Sequence, residues 1–287
     1  MSAPRHSKHA PSAHAKRLAV GADLGGTWLR VVARDGAARV TRAQLRIAGR
    51  DPARALAEVL QQRGWTRARI GALAVAARGV WTARERADLR RRLRALAPRV
   101  AVLSDAEAAW LGALDGRPGV VVLAGTGSIV VGRDARGRWA RAGGLGPLLG
   151  DEGSAFWLGR EWLRATAPDR VEVRALVMRR DAVGAIAAVA LAVLVRARRG
   201  DRRARAIVAD AQRHLARQAL TVARRLRLSP PVAMSWAGSV VGNPWFRAGL
   251  VRAVRRAGLR ARWTPPAFDP VNAAARLAVL TLSRKHH

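Results

Sequence analysis

The protein has 287 residues, half of them hydrophobic, which is enough for one large globular domain or two medium ones. The absence of cysteine excludes disulfides, thiolate nucleophiles, zinc–thiolate sites and iron–sulfur clusters. The formal charge of +34 at pH 7 comes almost wholly from Arg spread over nearly every predicted helix, a pattern that compositional drift explains without a specific nucleic-acid partner.

The first half of the chain predicts a β-rich opening followed by alternating helices and strands. Residues 1–16 carry charge and proline but no apolar run, which predicts a disordered basic tail rather than a signal peptide. Strands are predicted at 17–24, 28–33, 38–47, 69–76 and 100–104. Helices are predicted from the Asp51-Pro52 pair to about 63, at 82–96 and at 106–114. Glycine and proline at 116–119 place a domain boundary near residue 116.

The second half repeats the hairpin opening and is richer in helices. Strands are predicted at 120–123, 129–133, 138–141, 232–236 and 259–263. Helices are predicted at 154–165, 171–180, 182–198, 201–227, 244–257 and 271–282. The longest apolar run, 182–195, is too short to span a bilayer and predicts a buried helix. We therefore expect a cytoplasmic protein with no membrane partner.

Two glycine-rich turns lie close together in this half. Gly125, Thr126, Gly127 and Ser128 stand between two β-branched runs, as in a tight turn whose amides and hydroxyls face an anion such as phosphate. The segment 143–150 then supplies four more glycines and runs directly into a pair of carboxylates. Either turn alone could be structural, but their order and proximity favour a ligand site.

Proton transfer in the body of the chain is expected to fall to a carboxylate. Of the six histidines only His214 lies outside the two tails, and it falls in an Arg-rich helical stretch typical of surface or packing positions. Asp105 follows a short buried strand at the start of a helix. The residues alone leave two interpretations for Asp105, a helix cap or a reactive carboxylate.

Several segments, taken in order, resemble one family. They are GADLGGTWLR (21–30), LSDAEAAWLGAL (103–114), AGTGSIVVG (124–132), GGLGPLLGDEGSAFWLGRE (143–161), RRGDRRARAIVADA (198–211), AGSVVGN (237–243) and FDPVNAAARLA (268–278). Together they resemble the N-acetylglucosamine kinase branch of the BadF/BadG/BcrA/BcrD ATPase family, within the actin, hexokinase and Hsp70 superfamily. The DEGS block preceded by GTGS is specific, whereas DLGGT is shared with many sugar kinases.

The resemblance implies an α/β fold of two RNase H-like domains of the actin-like ATPase type, with a nucleotide cleft between them. The domains would be 17–116 and 117–287, with the last helix available to pack back on the first. The implied activity is transfer of phosphate from ATP, with Mg²⁺, to the 6-hydroxyl of an amino sugar, N-acetylglucosamine or glucosamine. Members of this family often dimerise, so a homodimer is among the expected assemblies.

The resemblance also implies roles for individual residues. Asp23 would hold Mg²⁺, and Asp105 would be the catalytic base that also touches the sugar. The phosphate loops would be Gly25, Gly26 and Thr27, then Gly125, Thr126, Gly127 and Ser128. The adenosine would be bordered by Gly238, Ser239 and Val240. The sugar segment would comprise Gly144, Leu145, Gly146 and Asp151.

Departures from the family pattern concern the sugar side. The family usually carries an Asn-Pro pair after the third strand, and this chain has Arg50 and Asp51 there instead. Leu145 stands where the family usually has Trp. N-acetylglucosamine, glucosamine, another amino sugar and a muropeptide-derived sugar therefore all remain open. The family's iron–sulfur activator ATPases are excluded because the chain has no cysteine. A non-catalytic protein of this fold that binds nucleotide or polyanion is the alternative function.

Overall fold

The computed structural model describes residues 17–25, 28–35, 40–47, 50–166 and 170–283. These residues form two compact units, one of residues up to 103 together with those from 274 onward, the other of residues 104–273. The division therefore falls about a dozen residues before the boundary predicted near residue 116. The C-terminal residues belong with the first unit.

The first unit is built on a five-stranded mixed sheet in the order β3-β2-β1-β4-β5. Its elements are β1 (Leu18–Leu24), β2 (Trp28–Arg34), β3 (Val40–Arg46), α1 (Pro52–Gln62), β4 (Ile70–Ala77), α2 (Ala83–Leu93) and β5 (Val100–Ser104). Strands β1, β2 and β3 are antiparallel neighbours, and β4 runs parallel to β1. The register pairs Leu24 with Ala77, so the carboxyl ends of β1 and β4 meet at one edge of the sheet. Ligands of open α/β sheets bind at such an edge.

The second unit carries a second five-stranded mixed sheet, in the order β10-β9-β6-β7-β8. Its opening elements are α3 (Asp105–Leu114), β6 (Gly119–Ala124), β7 (Ser128–Arg133), β8 (Trp139–Gly143), α4 (Gly146–Leu149) and α5 (Ala155–Thr166). The rest are α6 (Arg170–Val177), α7 (Ala182–Ala188), α8 (Ala190–Arg198), α9 (Arg202–Arg225), β9 (Val232–Ala237), α10 (Ser239–Gly242), α11 (Pro244–Arg256) and β10 (Ala261–Trp263). The last helix, α12 (Pro270–Ser283), belongs to the first unit from Ala274 onward. The helix predicted at 182–198 is two helices that meet at Val189, and α4 and α10 were not predicted.

Helix α3 belongs to the second unit because it hydrogen-bonds and packs against residues of that unit. The indole N–H of Trp110 donates to the carbonyl oxygen of Gly119 at 3.0 Å, at the start of β6. Gly112 faces the Phe268 carbonyl so closely that a Cβ on residue 112 would lie 2.7 Å from that oxygen. The contact with Phe268 is long-range in sequence, whereas the glycine and proline at 116–119 are a local signal only.

Small residues let α12 approach the sheet of the first unit. A Cβ on Gly21 of β1 would lie 2.2 Å from the backbone nitrogen of Ala275. Ala19, Ala72, Ala274 and Ala278 are buried together at this contact. The opposite core is formed by large side chains of α1 and β4. Among the described residues, no helix combines the length and apolarity needed to cross a bilayer.

The core of the second unit lies between its sheet and α9. The buried face of α9 includes Ile207, Leu215 and Val222, which pack with Val122 and Val130 of the β6–β7 hairpin. Burial of such a stripe supplies most of the stability of an amphipathic helix. This packing fixes the hairpin, and the hairpin presents the glycine turn described next.

Candidate functional site

The turn from Gly125 to Ser128 joins two antiparallel strands and is docked on the start of α5. Its register pairs Ala124 with Ser128, and the Gly125 N–H donates to the Gly127 carbonyl at 2.9 Å. The carbonyl oxygens of Gly125 and Thr126 accept from the backbone N–H groups of residues 155 and 156, at 2.8 and 3.2 Å. The helix amides that most need partners are thereby satisfied by the turn itself. The turn and the helix start form one rigid piece.

The two hydroxyl groups of this turn have different surroundings. Thr126 is exposed. Ser128 is only 4% exposed, and its hydroxyl donates to the carbonyl oxygen of Glu152 at 2.8 Å. The expectation that the hydroxyls of the turn face a ligand is therefore revised for Ser128, whose proton is used to join the two glycine-rich turns.

Asp151 lies against the underside of the same turn. It is only 6% exposed and has φ of +60°, a left-handed conformation that residues other than glycine rarely adopt. A Cβ on Gly127 would lie 2.8 Å from its Oδ2 atom and 3.3 Å from its Cγ. The next residue, Glu152, accepts a hydrogen bond from Nε2 of Gln218 at 3.2 Å. Gln218 was not singled out in the sequence, because it lies 66 residues from its partner.

The loop at Gly238 lies beside the glycine turn. Gly238 has φ of +98° and packs on the peptide group that precedes Gly125, since a Cβ on it would lie 2.4 Å from the Ala124 oxygen. A Cβ on Gly125 would lie 3.8 Å from the backbone nitrogen of Ser239. Val240 is buried behind them. The second predicted phosphate loop and the residues predicted to border adenosine thus lie next to each other within the second unit.

A cavity of about 370 Å³ opens beside this loop, within the second unit. It is lined mainly by apolar residues, among them Trp236, Gly238, Ala109 and Phe268. Arg247 stacks on the Trp236 ring with its guanidinium carbon 4.2 Å from the ring centre. Pockets of this size and apolar character are typical small-molecule sites.

The residues around Asp105 show which side chains cap α3. Ser104 is the N-cap of α3: its Oγ accepts the Glu107 N–H at 3.1 Å, and Oε2 of Glu107 accepts the Ser104 N–H at 2.9 Å. This is a complete capping box, and its Ser-x-x-Glu pattern was present in the sequence. Asp105 is the first helical residue and is partly exposed, with Oδ1 accepting the Ala106 N–H at 2.8 Å. The helix therefore has a cap that does not depend on Asp105.

The first predicted phosphate loop is described only in part. Gly26 and Thr27 lie outside the described residues. The Gly25 N–H donates to the Trp28 carbonyl at 3.0 Å, which closes the β1–β2 turn. The Asp23 side chain is 13% exposed and pairs with Arg30 across the strands at 3.4 Å.

The carboxylate of Asp23 could bind Mg²⁺ only together with ligands that are not protein side chains. Within the described residues no three His, Cys, Asp or Glu side chains form a group that could hold a metal ion. Mg²⁺ is commonly bound by one or two carboxylates together with waters and substrate phosphates. Asp23 fits that arrangement and does not fit a protein cage.

The segments predicted to contact the sugar differ in how firmly they are held. Leu145 is 69% exposed, and Gly144 and Gly146 flank it. Asp51 caps α1 by accepting the Arg54 N–H at 2.8 Å, and it also pairs with Arg92. The Arg54 N–H, and next the Arg92 guanidinium, hold the pKa of Asp51 below its ordinary value of 3.8. Asp51 is therefore an ionised helix cap.

The comparison with known proteins bears directly on these features. The sequence pattern of the BadF/BadG/BcrA/BcrD ATPase family matches residues 20–278. The chain belongs to this family. Its membership confirms the resemblance carried by the GTGS and DEGS blocks, and both blocks lie in the site just described.

One curated relative is similar to a short part of this BadF-family chain, and two solved structures are similar to most of it. An N-acetylmuramic acid/N-acetylglucosamine kinase from Clostridium acetobutylicum is 45% identical over 67 residues, which are 23% of the chain and 22% of that relative. A provisionally assigned N-acetylglucosamine kinase from Chromobacterium violaceum has a TM-score of 0.66 at 22% identity, over 92% of the chain and 99% of its own. A ROK family glucokinase from Streptomyces griseus has a TM-score of 0.61 at 20% identity, over 92% and 99%. The two structural likenesses concern the fold, and they confirm the predicted α/β class of the actin-like type.

Proposed function

We propose that this BadF-family protein is an ATP-dependent sugar kinase that phosphorylates the 6-hydroxyl of an amino sugar, N-acetylglucosamine or glucosamine. The observation that carries the proposal is the placement of Asp105. Its carboxylate begins α3 at the end of β5 and is partly exposed, while Ser104 and Glu107 cap the helix. A partly exposed carboxylate that the helix does not need as a cap is suited to accept a proton from a substrate.

The nucleotide side of the proposal rests on the glycine turn and its neighbours. The turn at 125–128 is docked on α5, and Gly238 packs against it, so its backbone is fixed before any ligand arrives. Phosphoryl transfer depends mainly on such fixed amides and on cations, because little covalent work is left to the protein. The Streptomyces griseus glucokinase, which shares the fold, was crystallised with glucose and AMPPNP.

In the proposed reaction, Asp105 accepts the proton of the sugar 6-hydroxyl as that oxygen attacks the γ-phosphorus. A new bond forms between O6 and phosphorus, the bond from phosphorus to the β–γ bridging oxygen breaks, and ADP leaves with the electron pair. Mg²⁺, when bound, would be held by Asp23 and would neutralise charge on the phosphate oxygens. The loop at Gly25 to Thr27 and the backbone at 144–146 would bind phosphate and sugar respectively.

The substrate class is supported by the Clostridium acetobutylicum relative, which is named as a kinase of two amino sugars. The aligned part is about a fifth of each protein, so the choice among amino sugars belongs to experiment. A homodimer remains a prediction.

A substrate panel tests the proposal. The protein is mixed with ATP, Mg²⁺ and N-acetylglucosamine, glucosamine or N-acetylmuramic acid, and ADP release is followed. We expect sugar-dependent release that Asp105→Ala abolishes and Asp210→Asn does not, since Asp210 pairs with Arg213 on the surface of α9. No release with any sugar, together with salt-sensitive retention on DNA by all variants, would instead favour the non-catalytic nucleotide or polyanion binder.

A further inference from the structure

We infer that Asp151 is a positioning residue for the phosphate-binding turn, acting on the nucleotide through Gly127; this role rests on the proposed kinase function. The resemblance assigns Asp151 to the sugar segment. Its position in the fold points to an additional role on the other side of the reaction, for which three independent features argue.

The first feature is contact. The three atoms that a Cβ on Gly127 would meet first are Oδ2, Cγ and Oδ1 of Asp151, at 2.8, 3.3 and 3.4 Å. The carboxylate therefore fills the space directly beneath the Cα of the turn. Any side chain at residue 127 would have to displace either the carboxylate or the turn.

The second feature is burial and conformation. Asp151 is only 6% exposed, so most of its surface is covered by protein, and a buried polar group needs hydrogen-bond partners there. Its φ of +60° lies in the left-handed region, which Asp and Asn adopt more readily than other residues that carry a Cβ.

The third feature is the set of bonds that join the same two turns. Ser128 donates to the Glu152 carbonyl at 2.8 Å and so joins the two turns, while the Ser154 N–H donates to the Asp151 carbonyl at 3.0 Å within the second turn. Two further bonds run from the start of α5 to the carbonyls of the glycine turn. Asp151 thus lies among the bonds that clamp the glycine turn against the start of α5.

The function of such a clamp follows from the chemistry. Backbone amides bind phosphate well only when they are aimed before the ligand arrives, because reorientation at the moment of reaction costs free energy. A clamped turn keeps its amides in one orientation. Loss of the clamp through Gly127→Ala, which leaves Asp151 in place, should therefore weaken nucleotide binding, while sugar binding measured without nucleotide should change little.

A double-mutant cycle tests this inference. The four proteins are wild type, Gly127→Ala, Asp151→Gly and the double variant. Glycine is chosen at 151 because it adopts φ of +60° without strain. Calorimetry measures the affinity for a non-hydrolysable ATP analogue with no sugar present, and thermal unfolding without ligand reports folding separately.

We expect Gly127→Ala to weaken nucleotide affinity by about tenfold or more, since its Cβ collides with the carboxylate. Asp151→Gly should weaken it too. The double variant should bind like Asp151→Gly alone, because removing the carboxylate removes the collision, and neighbouring residues of this kind are non-additive. Asp151→Asn, which keeps size and tolerates the left-handed conformation, should retain more affinity than Asp151→Gly.

Three outcomes would overturn the inference. They are additive losses in the cycle, a gain of nucleotide affinity in Asp151→Gly, and a loss of sugar affinity with nucleotide affinity unchanged. Gly184→Ala, in α7 with no heavy atom within 4 Å of its new Cβ, is the control that should bind nucleotide as wild type does. If wild type binds no nucleotide, the proposed function fails before the cycle is read.

Discussion

Ser104 and Glu107 hold the start of α3 by two reciprocal hydrogen bonds, at 3.1 Å to the serine Oγ and 2.9 Å to the glutamate carboxylate. Asp105 lies between them in sequence and takes no part in that pair of bonds. The side chains that cap α3 and the side chain proposed as the general base are therefore different, although all lie within four consecutive residues. The two contributions can be separated by mutation.

Asp105→Asn should remove activity without unfolding the protein. The amide oxygen can still accept the Ala106 N–H, and the cap is intact, so the free energy of unfolding should change little. Loss of a general base should reduce the rate by about 10²- to 10⁴-fold. Urea unfolding and ADP release on the same preparation check both statements.

Ser104→Ala is the matched control for that variant. It removes one half of the capping box and should cost about 1 kcal/mol of stability. At temperatures below its melting transition the Ser104→Ala variant should keep its activity, because the carboxylate at 105 is still present. Equal loss of activity in both variants would show that Asp105 acts only through the fold.

Gly238→Ala should damage both the fold and nucleotide binding. The residue has φ of +98°, and its new Cβ would lie 2.4 Å from the Ala124 oxygen, so either the peptide before Gly125 or the α10 start must move. We expect a loss of about 1–3 kcal/mol in the free energy of unfolding and weaker binding of an ATP analogue. Denaturation and calorimetry measure the two effects.

Gly242→Ala, at the end of the same short helix, offers the comparison for Gly238. Its new Cβ would have no heavy atom within 4 Å. The substitution should leave stability unchanged or raise it by up to about 1 kcal/mol. If both variants behaved alike, the close packing of Gly238 would not be the cause.

Gly159→Ala should destabilise the protein although alanine is the better helix former. Local propensity favours Ala over Gly by about 0.5–1 kcal/mol in a helix interior. The new Cβ would, however, lie 2.0 Å from the Ile186 carbonyl oxygen, where α5 crosses α7. Overpacking of this kind costs about 1–3 kcal/mol, so the net sign should reverse.

Gly184→Ala isolates the propensity term from the packing term. It lies in α7, within two residues of the same crossing, and its new Cβ meets nothing within 4 Å. We expect stabilisation by about 0.5–1 kcal/mol. Chemical denaturation of the two variants should therefore move the midpoint in opposite directions, and a shift in the same direction would contradict the observed crossing.

Asp51→Asn should show a pH-dependent loss of stability. The pKa of Asp51 is lowered in the folded protein, chiefly by the Arg54 N–H and then by Arg92, so folding favours its ionised form. Its contribution is present above pH 3.8 and disappears as the pH falls through the lowered value. Asn keeps the cap and removes only the charge, so the difference in unfolding free energy from wild type should be present at pH 7 and vanish once the pH falls below the lowered pKa.

Asp51→Ala and added salt complete that experiment. Alanine removes the cap as well and should cost about 1 kcal/mol at pH 7. Because the pair with Arg92 is half exposed, 1 M salt should shrink the Asn effect but not the Ala effect. A difference between wild type and Asp51→Asn that does not vary with pH would contradict the assignment.

Local sequence signals were sufficient for most elements of both sheets. The β1–β2 and β6–β7 hairpins follow from β-branched runs interrupted by glycine, and α1 follows from Asp51-Pro52 at its start. The sequence analysis considered Asp105 as the cap of α3, and the structure shows instead that Ser104 and Glu107 form the capping box. The roles of Gly26 and Thr27 remain predictions.

Tertiary structure decided what depends on residues far apart in sequence. The close packing of Gly112 on the Phe268 carbonyl places α3 in the second unit, which the break at 116–119 could not indicate. The carboxylate of Asp151 beneath Gly127 and the bond from Ser128 to Glu152 arise only once the hairpin has packed on α9. Motifs are local and can be recognised in the sequence, whereas the direction of each side chain is set by packing between elements. The sequence thus determined the family and the turns, and the fold determined which atoms of those turns are exposed and which are bonded to neighbouring elements.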